Sequence, residues 1–435
     1  MAGARDDVDD TEAPEAAPTE QQEDGSQVLR RKPPSLLSKL SYASHIYGLQ
    51  SMLNPLHWLR EWSEYLSPPD GSPNIIKSYE CRPHLPVRIF FPNSYDQTSP
   101  ATLPTLFTIH GGGFCIGHIR DDDEWNRAFA DSQDILVIAL NYSKAPAFPF
   151  PTGLHDLEAL LLALLADESL PIDRTIPAGS RHPRTAILGF SAGGNLALSL
   201  CQLPSIHNHP LAPAAVLPLY AYLDLSTPCE SKLRNRPYKS SLSHPRGDAK
   251  DALKSLISTF DWAYIPYDQD LRDPLLSPYF TPREKLPPYI CVVATELDLL
   301  AHESWRFACR LAKEGTNNAD MYSIPNPKSK DLKERMCGSQ AARSRPGRIE
   351  VVDRKGEVDR RFGFEESWEG GGVKWLLVPD VLHAFDNKHV RELMGGEDTV
   401  EDAERKMGEV MRVLGGWLKG VWGGAPGLSP TLPDG

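Results

Sequence analysis

Ser191 is the residue whose neighbours are best arranged to make a nucleophile. It stands in Gly189-Phe190-Ser191-Ala192-Gly193, after the apolar run Ala186-Ile187-Leu188 and before the Ala/Leu-rich stretch Ala192 to Cys201. In a sharp strand-to-helix turn the backbones on either side nearly touch, so only glycine fits two residues before and after the serine. The hydroxyl is then presented at the sheet's carboxyl edge, facing helix-terminal N–H groups. A plain helix N-cap serine is the bland alternative. A second motif weighs against it: His110-Gly111-Gly112-Gly113-Phe114, directly after the apolar run Leu106 to Ile109. Acyl transfer through a tetrahedral intermediate needs donors aimed at the developing oxyanion, and successive glycines bring bare N–H groups close to it. Gly111, Gly112 and Ala192 are the expected donors. The spacing lacks the G-x-G-x-x-G of a phosphate-binding turn.

A serine hydroxyl needs a base, and the base needs an orienting carboxylate. Behind a serine elbow these follow in the order acid, then histidine. Asp298 is the expected acid, just past the strand-like run Ile290 to Val293, with Glu296 and Glu303 as close competitors. His383 is the expected base, in the loop after Val373 to Val378. Both follow strands, where residues of a parallel sheet's carboxyl edge gather. Cys115, beside the glycines, reads as a small buried hydrophobe and not as a thiol nucleophile.

These side chains need elements to hold them. Strands are expected at Val87–Phe91, Leu106–Ile109, Ile135–Leu140, Ala186–Leu188, Ala215–Tyr222, Ile290–Val293 and Val373–Val378. Helices are expected at Gly153–Ala166, Ala192–Cys201, Glu303–Lys313 and Val400–Leu418. This alternation predicts a mostly parallel, doubly wound α/β sheet over residues 85–423. Within it, residues 226–286 are rich in Pro, Ser and charge, with a weak helical stretch at Ala249–Tyr264, and suit a lid. Residues 324–372 read as a largely flexible surface insertion with one β-like run at Ile349–Val352. Ahead of the domain, residues 34–84 form an arm in which Leu36–Leu66 is amphipathic and broken at Pro55. Its apolar face reads first as a cap on its own protein, second as a peripheral membrane contact through residues 34–66, and third as a partner-protein surface. Residues 1–33 are acidic, short of aromatics and expected to be disordered, and 424–435 form a C-terminal tail.

The chain has 435 residues, 40% of them hydrophobic and 24% charged, which suits a sizeable core. The net charge of −12 lies largely in the first two dozen residues, so no basic footprint for nucleic acid is present. No secretory pattern and no bilayer-spanning run are seen, and seven cysteines lack metal-like spacing. A cytoplasmic location is the resulting expectation, and oligomeric state is left open.

With its motifs assembled, the sequence resembles the hormone-sensitive lipase-like α/β hydrolases, the group that includes arylacetamide deacetylase-like enzymes. The likeness covers roughly residues 85–325 and 373–420. It rests on His110 to Phe114, Asn141-Tyr142-Ser143-Lys144-Ala145-Pro146 with Phe148-Pro149 and Asp156, and Gly189 to Asn195. Arg272-Asp273-Pro274-Leu275-Leu276-Ser277-Pro278, Asp298-Leu299-Leu300 and His383-Ala384-Phe385 extend it. The resemblance implies an α/β-hydrolase fold with a helical cap and ester hydrolysis by Ser191, Asp298 and His383, and makes Asp156 structural. Three positions depart from the family pattern: Phe190 replaces an acid, Leu299 a proline and Ala384 a glycine. The insertion also separates acid from base by 85 positions, more than the family's few dozen.

The expectation is a serine carboxylesterase for short- to medium-chain esters, its partner a small-molecule ester, with no metal or organic cofactor. Its rivals are a membrane-surface lipase, an amide deacylase with the same triad, and a non-catalytic ligand-binding protein on the same fold.

Overall fold

The computed structural model describes residues 28–177, 180–234, 251, 253–316, 347–351, 359–393 and 396–423. The strands are β1 (Ile75–Tyr79), β2 (Arg82–Phe90), β3 (Thr105–Ile109), β4 (Leu136–Leu140), β5 (Thr185–Phe190), β6 (Ala215–Leu219), β7 (Tyr289–Thr295), β8 (Gly363–Trp368) and β9 (Gly371–Val378). The helices are α1 (Leu36–Leu66), α2 (Asp123–Gln133), α3 (Thr152–Ala166), α4 (Ala192–Gln202), α5 (Pro204–His207), α6 (Cys229–Arg234), α7 (Leu253–Tyr264), α8 (Ala301–Thr316), α9 (Lys388–Leu393) and α10 (Glu397–Gly423). One sheet runs β1-β2-β4-β3-β5-β6-β7-β9-β8. Its six central strands, β4 through β9 in that order, are parallel, and antiparallel β1, β2 and β8 lie outside them.

The central strands are largely apolar because both of their faces are covered. Successive side chains alternate between two cores. Phe107, Ile109, Ile138, Ile187, Val216 and Val292 join one core with the buried faces of α3, α4 and α8. Leu106, Val137, Leu188, Leu217 and Val293 join the other, against Trp125 and Phe129 of α2 and Leu414 and Leu418 of α10. With all six strands pointing the same way, the loops after β3, β5, β7 and β9 open on one edge of the sheet, and every expected site residue is on one of them.

Several expectations need correction. Helix α1 is continuous through Pro55, although proline removes one helical hydrogen bond. Anchors lie on both sides of that gap: Gln50 Nε2 donates to the carbonyls of Cys115 and Ala145, both at 2.9 Å, and Glu64 pairs with Arg88 and Arg120. Strand β6 stops at Leu219, where Tyr220 takes φ +38 and leaves the extended region. Hairpin partner β1 and helix α2 were not expected. The first is half exposed, and the second buries only one stripe of a strongly charged sequence, so neither carries an apolar run.

The insertion at 324–372 is not structureless at its end. Strand β8 pairs antiparallel with β9 from Gly363↔Leu376 to Trp368↔Gly371. Its pattern escaped notice because it is an edge strand carrying Glu365, Glu366 and Ser367. The expected strand at Ile349–Val352 does not form over its described residues 349–351. Ile349 and Val351 are instead buried in opposite cores, and β8 already holds the place beside β9. Residues 324–346 and 352–358 of the insertion lie outside the described residues, as do 235–250 and 252 of the lid-like region, most of the N-terminal tail, and 424–435. Native-state hydrogen exchange tests the correction: alternate amides of 363–368 are expected to be protected like those of β9, whereas a flexible insertion would exchange them freely.

Candidate active site

Ser191 links β5 to α4 with φ 52 and ψ −116, a conformation that a non-glycine residue holds only under constraint. The constraint is visible. A Cβ at Gly189 would lie 2.1 Å from the carbonyl oxygen of Gly193, and one at Gly193 would lie 2.1 Å from that of Ile109. Either would drive β5, α4 and β3 apart. The turn is tied down by Ser191 N–H donating to Leu219 O at 2.9 Å, while Ser191 O accepts from Gly194 N at 2.9 Å.

His383 Nε2 lies 2.8 Å from Ser191 Oγ, and His383 Nδ1 lies 2.8 Å from Asp298 Oδ2. The structure therefore brings together three side chains that stand up to 192 positions apart in sequence. The other oxygen of Asp298 accepts from Leu300 N at 2.9 Å, and the residue is fully buried. The competing carboxylates are engaged elsewhere. Glu296 accepts from Asp380 N at 3.1 Å, bracing the histidine loop, and Glu303 accepts from Leu223 N at 2.8 Å while pairing with Lys232. Asp156 binds Arg82 and Ser143 N, away from the serine.

The glycine loop faces the same point. A Cβ on Gly111 would lie 3.3 Å from that of Ser191, so the loop passes against the serine with little room to spare. Gly112, Gly113 and Phe114 all take positive φ, which turns this stretch back on itself. His110 anchors it: Nδ1 lies 2.9 Å from Gly111 O and Nε2 lies 3.0 Å from Lys144 Nζ. These partners make Nδ1 the protonated nitrogen and Nε2 the acceptor. Burial, reinforced by the lysine, pushes the His110 pKa well down, and burial brings Lys144 to about 7. Among the described residues the N–H groups of Gly111 and Gly112 have no acceptor, and that of Ala192 opens its helix and has none within it.

Several residues escaped the sequence reading. Tyr220 lays its ring edge-on to His383, centroids 4.9 Å apart, and donates to Asp386 Oδ1 at 2.5 Å. Asp251 accepts from Leu299 N at 2.8 Å, next to the triad acid. Nothing local marks them, except that Tyr220 directly follows a strand at the carboxyl edge. The family departures also find physical substitutes. Phe190 packs edge-on to Trp125 at 5.2 Å, an aromatic brace where an acid would bond. Ala384 takes φ +58, the left-handed turn that explains why glycine is usual there. Cys115 is buried, which raises its thiol pKa and removes the thiolate.

The electrostatics favour a charged His383. Burial alone would lower its pKa, but the charge and hydrogen bond of Asp298, with Asp251 and Asp386 behind, outweigh it and raise the pKa above 6.5. Burial holds Asp386 at about 6.

Serine, imidazole and carboxylate in line, facing free N–H groups at the edge of a doubly wound sheet, define a hydrolase-type nucleophile site. The family model described as the alpha/beta hydrolase fold matches residues 106–323, half of the chain, and the chain belongs to that family, in its hormone-sensitive lipase-like branch. It is 28% identical to rabbit arylacetamide deacetylase over 198 residues, 44% of this chain and 47% of that protein. It is also 28% identical to an arylesterase of Saccharolobus solfataricus over 241 residues, 55% of this chain and 69% of that protein. The match thus spans less than half of the rabbit protein. Among solved structures, the Pyrobaculum calidifontis esterase shares the fold, with a TM-score of 0.54 at 16% identity, covering 88% of this chain and 99% of that one.

Titration of His383 by NMR tests the geometry directly. Its midpoint is expected above 6.5 and should fall in Asp298→Asn, which removes the facing charge; an unchanged midpoint would separate the two residues.

Proposed function

We propose that this protein is a serine carboxylesterase acting on short- to medium-chain esters. The observation that carries the reading is the line from Asp298 through His383 to Ser191, 2.8 Å at each step, with Ser191 set against the open N–H groups of Gly111, Gly112 and Ala192. His383 takes the serine proton as Oγ adds to the ester carbonyl. Asp298 stays ionised, holds the tautomer and stabilises the imidazolium. The three N–H groups receive the oxyanion, each contributing about 3 kcal/mol to lowering the barrier. The imidazolium then protonates the departing alcohol, and a water activated by the same base releases the acid.

Aromatic rings crowd the glycine loop. Phe114 stacks on Tyr264 at 3.8 Å, and Phe260 of α7 lies over Gly113, where a Cβ would meet its ring at 2.3 Å. Bulky rings packed this closely against the glycine loop favour a modest acyl chain over a long one in this reading. The named similarity to arylacetamide deacetylase supports a second reading, amide deacylation by the same groups.

Hydrolysis of p-nitrophenyl esters from acetate to palmitate provides the test. Activity peaking at short to medium chains is expected, with Ser191→Ala lowering kcat by at least about 10⁴-fold while the fold is retained. A long-chain optimum would replace this reading by a lipase, and full activity in Ser191→Ala would end it. Because the neutral imidazole is the base, kcat/KM should fall as pH drops through a value above 6.5.

A further inference from the structure

Asp251 stands just ahead of α7 and takes part in no chemical step written above. Its two oxygens serve two separate pieces of backbone. Oδ1 accepts from Leu253 N at 2.9 Å, one of the donors that the start of α7 leaves open, and Oδ2 accepts from Leu299 N at 2.8 Å. Leu299 directly follows the triad acid and replaces a proline of the family pattern, and proline has no N–H to give. A chain that kept the proline could not form this bond. Helix α7 has 12 residues, a length of about 18 Å. Its far end meets the glycine loop, where Tyr264 stacks on Phe114 at 3.8 Å and Phe260 lies over Gly113. One helix thus reaches from the turn of the acid to the loop of the oxyanion donors, and Asp251 fastens the first of those ends.

We propose that Asp251 is a positioning residue for His383, a third carboxylate that ties the Asp298 turn to α7 and holds a negative charge near the imidazole. The bonding pattern calls for a carboxylate. Two N–H groups meet two different oxygens, and a carboxamide would set its amino group against one of them. Both bonds are also stronger to the ionised form. Burial and the charge of Asp298 push the Asp251 pKa up from the ordinary carboxylate value, while His383 and the two N–H bonds limit the rise.

The other groups around the imidazole come from other elements. Ser191 reaches it from the β5–α4 turn, Asp298 from the turn after β7, Tyr220 edge-on from the end of β6, and Asp386 from its own loop. Asp386 is bonded by Tyr220 and lies near Asp122 and Arg391. Lys232 of α6, which also faces Asp298, is paired with Glu303. Asp251 is the acid among them carried at the start of α7. A shift of that helix would therefore move a charge near the base together with the rings over Gly113. The consequence for turnover rests on the esterase reading, whereas the consequence for the imidazole does not.

Titration of His383 by NMR, beside the pH profile of kcat/KM for p-nitrophenyl acetate, tests the proposal on three full-length variants. Asp251→Asn removes the charge, Leu299→Pro removes the N–H, and the third variant carries both changes. Loss of a negative charge disfavours the imidazolium, so the His383 midpoint should fall by at least about half a pH unit in Asp251→Asn. Leu299→Pro takes a donor from the Asp251 carboxylate and should move the midpoint in the same direction. In each single variant kcat should drop at least about threefold with KM nearly unchanged, and the two losses should not add in the double variant. A merely structural contact would alter stability and leave the midpoint in place. Circular dichroism identifies the folded variants, and either single variant carries the test if the other unfolds. A wild-type midpoint in a folded single variant, or kcat losses that add in full, would overturn the proposal. If the wild type hydrolyses no ester, the esterase reading falls alone, and the NMR midpoint still decides the role of Asp251.

Discussion

Ser191 can occupy its backbone conformation only because three pieces of chain meet without side chains between them. The carbonyls of Ile109 and Gly193 pass so close to Gly193 and Gly189 that a single methyl at either glycine would collide with backbone, which cannot yield as a flexible side chain can. That closeness requires β3 and β5 to be parallel neighbours, since their ends must arrive together at one edge. It also places the glycine loop after β3 directly against the serine. The nucleophile and its oxyanion donors are thus two consequences of one packing contact, and a sheet with another strand order would provide neither.

Around that contact the structure concentrates charge in a buried space. Asp298 has no exposure, yet it accepts bonds from His383 and Leu300 N–H, so its ionised form is held by donors in place of water. Asp251 and Asp386 add further negative potential near the imidazole, and Tyr220 connects Asp386 to the ring's edge. The arrangement favours an imidazolium, the species formed when the serine proton moves. Lys144 and His110 work in the opposite sense beneath the glycine loop. Burial drives both toward neutrality, so the loop is fixed by hydrogen bonds without a full positive charge behind it.

Helix α1 joins this core through directional contacts as well as packing. Gln50 bonds two carbonyls of the loops around the site, and Glu64 reaches the buried Arg88 that also pairs with Asp123. The inner face of α1 is therefore fastened by polar bonds to residues of the hydrolase domain. Its outer face keeps Leu36, Trp58, Trp62 and Tyr65 more than half exposed.

Much of this was legible in the residue order. Ser191, the glycine loop and the alternation of apolar strands with helices are local patterns, because backbone sterics and side-chain periodicity act over a few residues. His383 and Asp298 could be named from their places after strands, but Glu296 and Glu303 could be set aside only when their bonds to Asp380 N and to Lys232 were seen. Pro55 looked like a helix end because a missing N–H is a local fact, whereas the anchors that carry α1 past it come from chain dozens of residues away. The half-exposed edge strands β1 and β8 gave no apolar run to read, since hydrogen bonding to a neighbour and not burial makes them strands. Asp251 and Asp386 had no signal of their own, and Tyr220 had only its place just past a strand. Their importance comes from distance to the imidazole, and distance across a fold is a property that only tertiary packing creates.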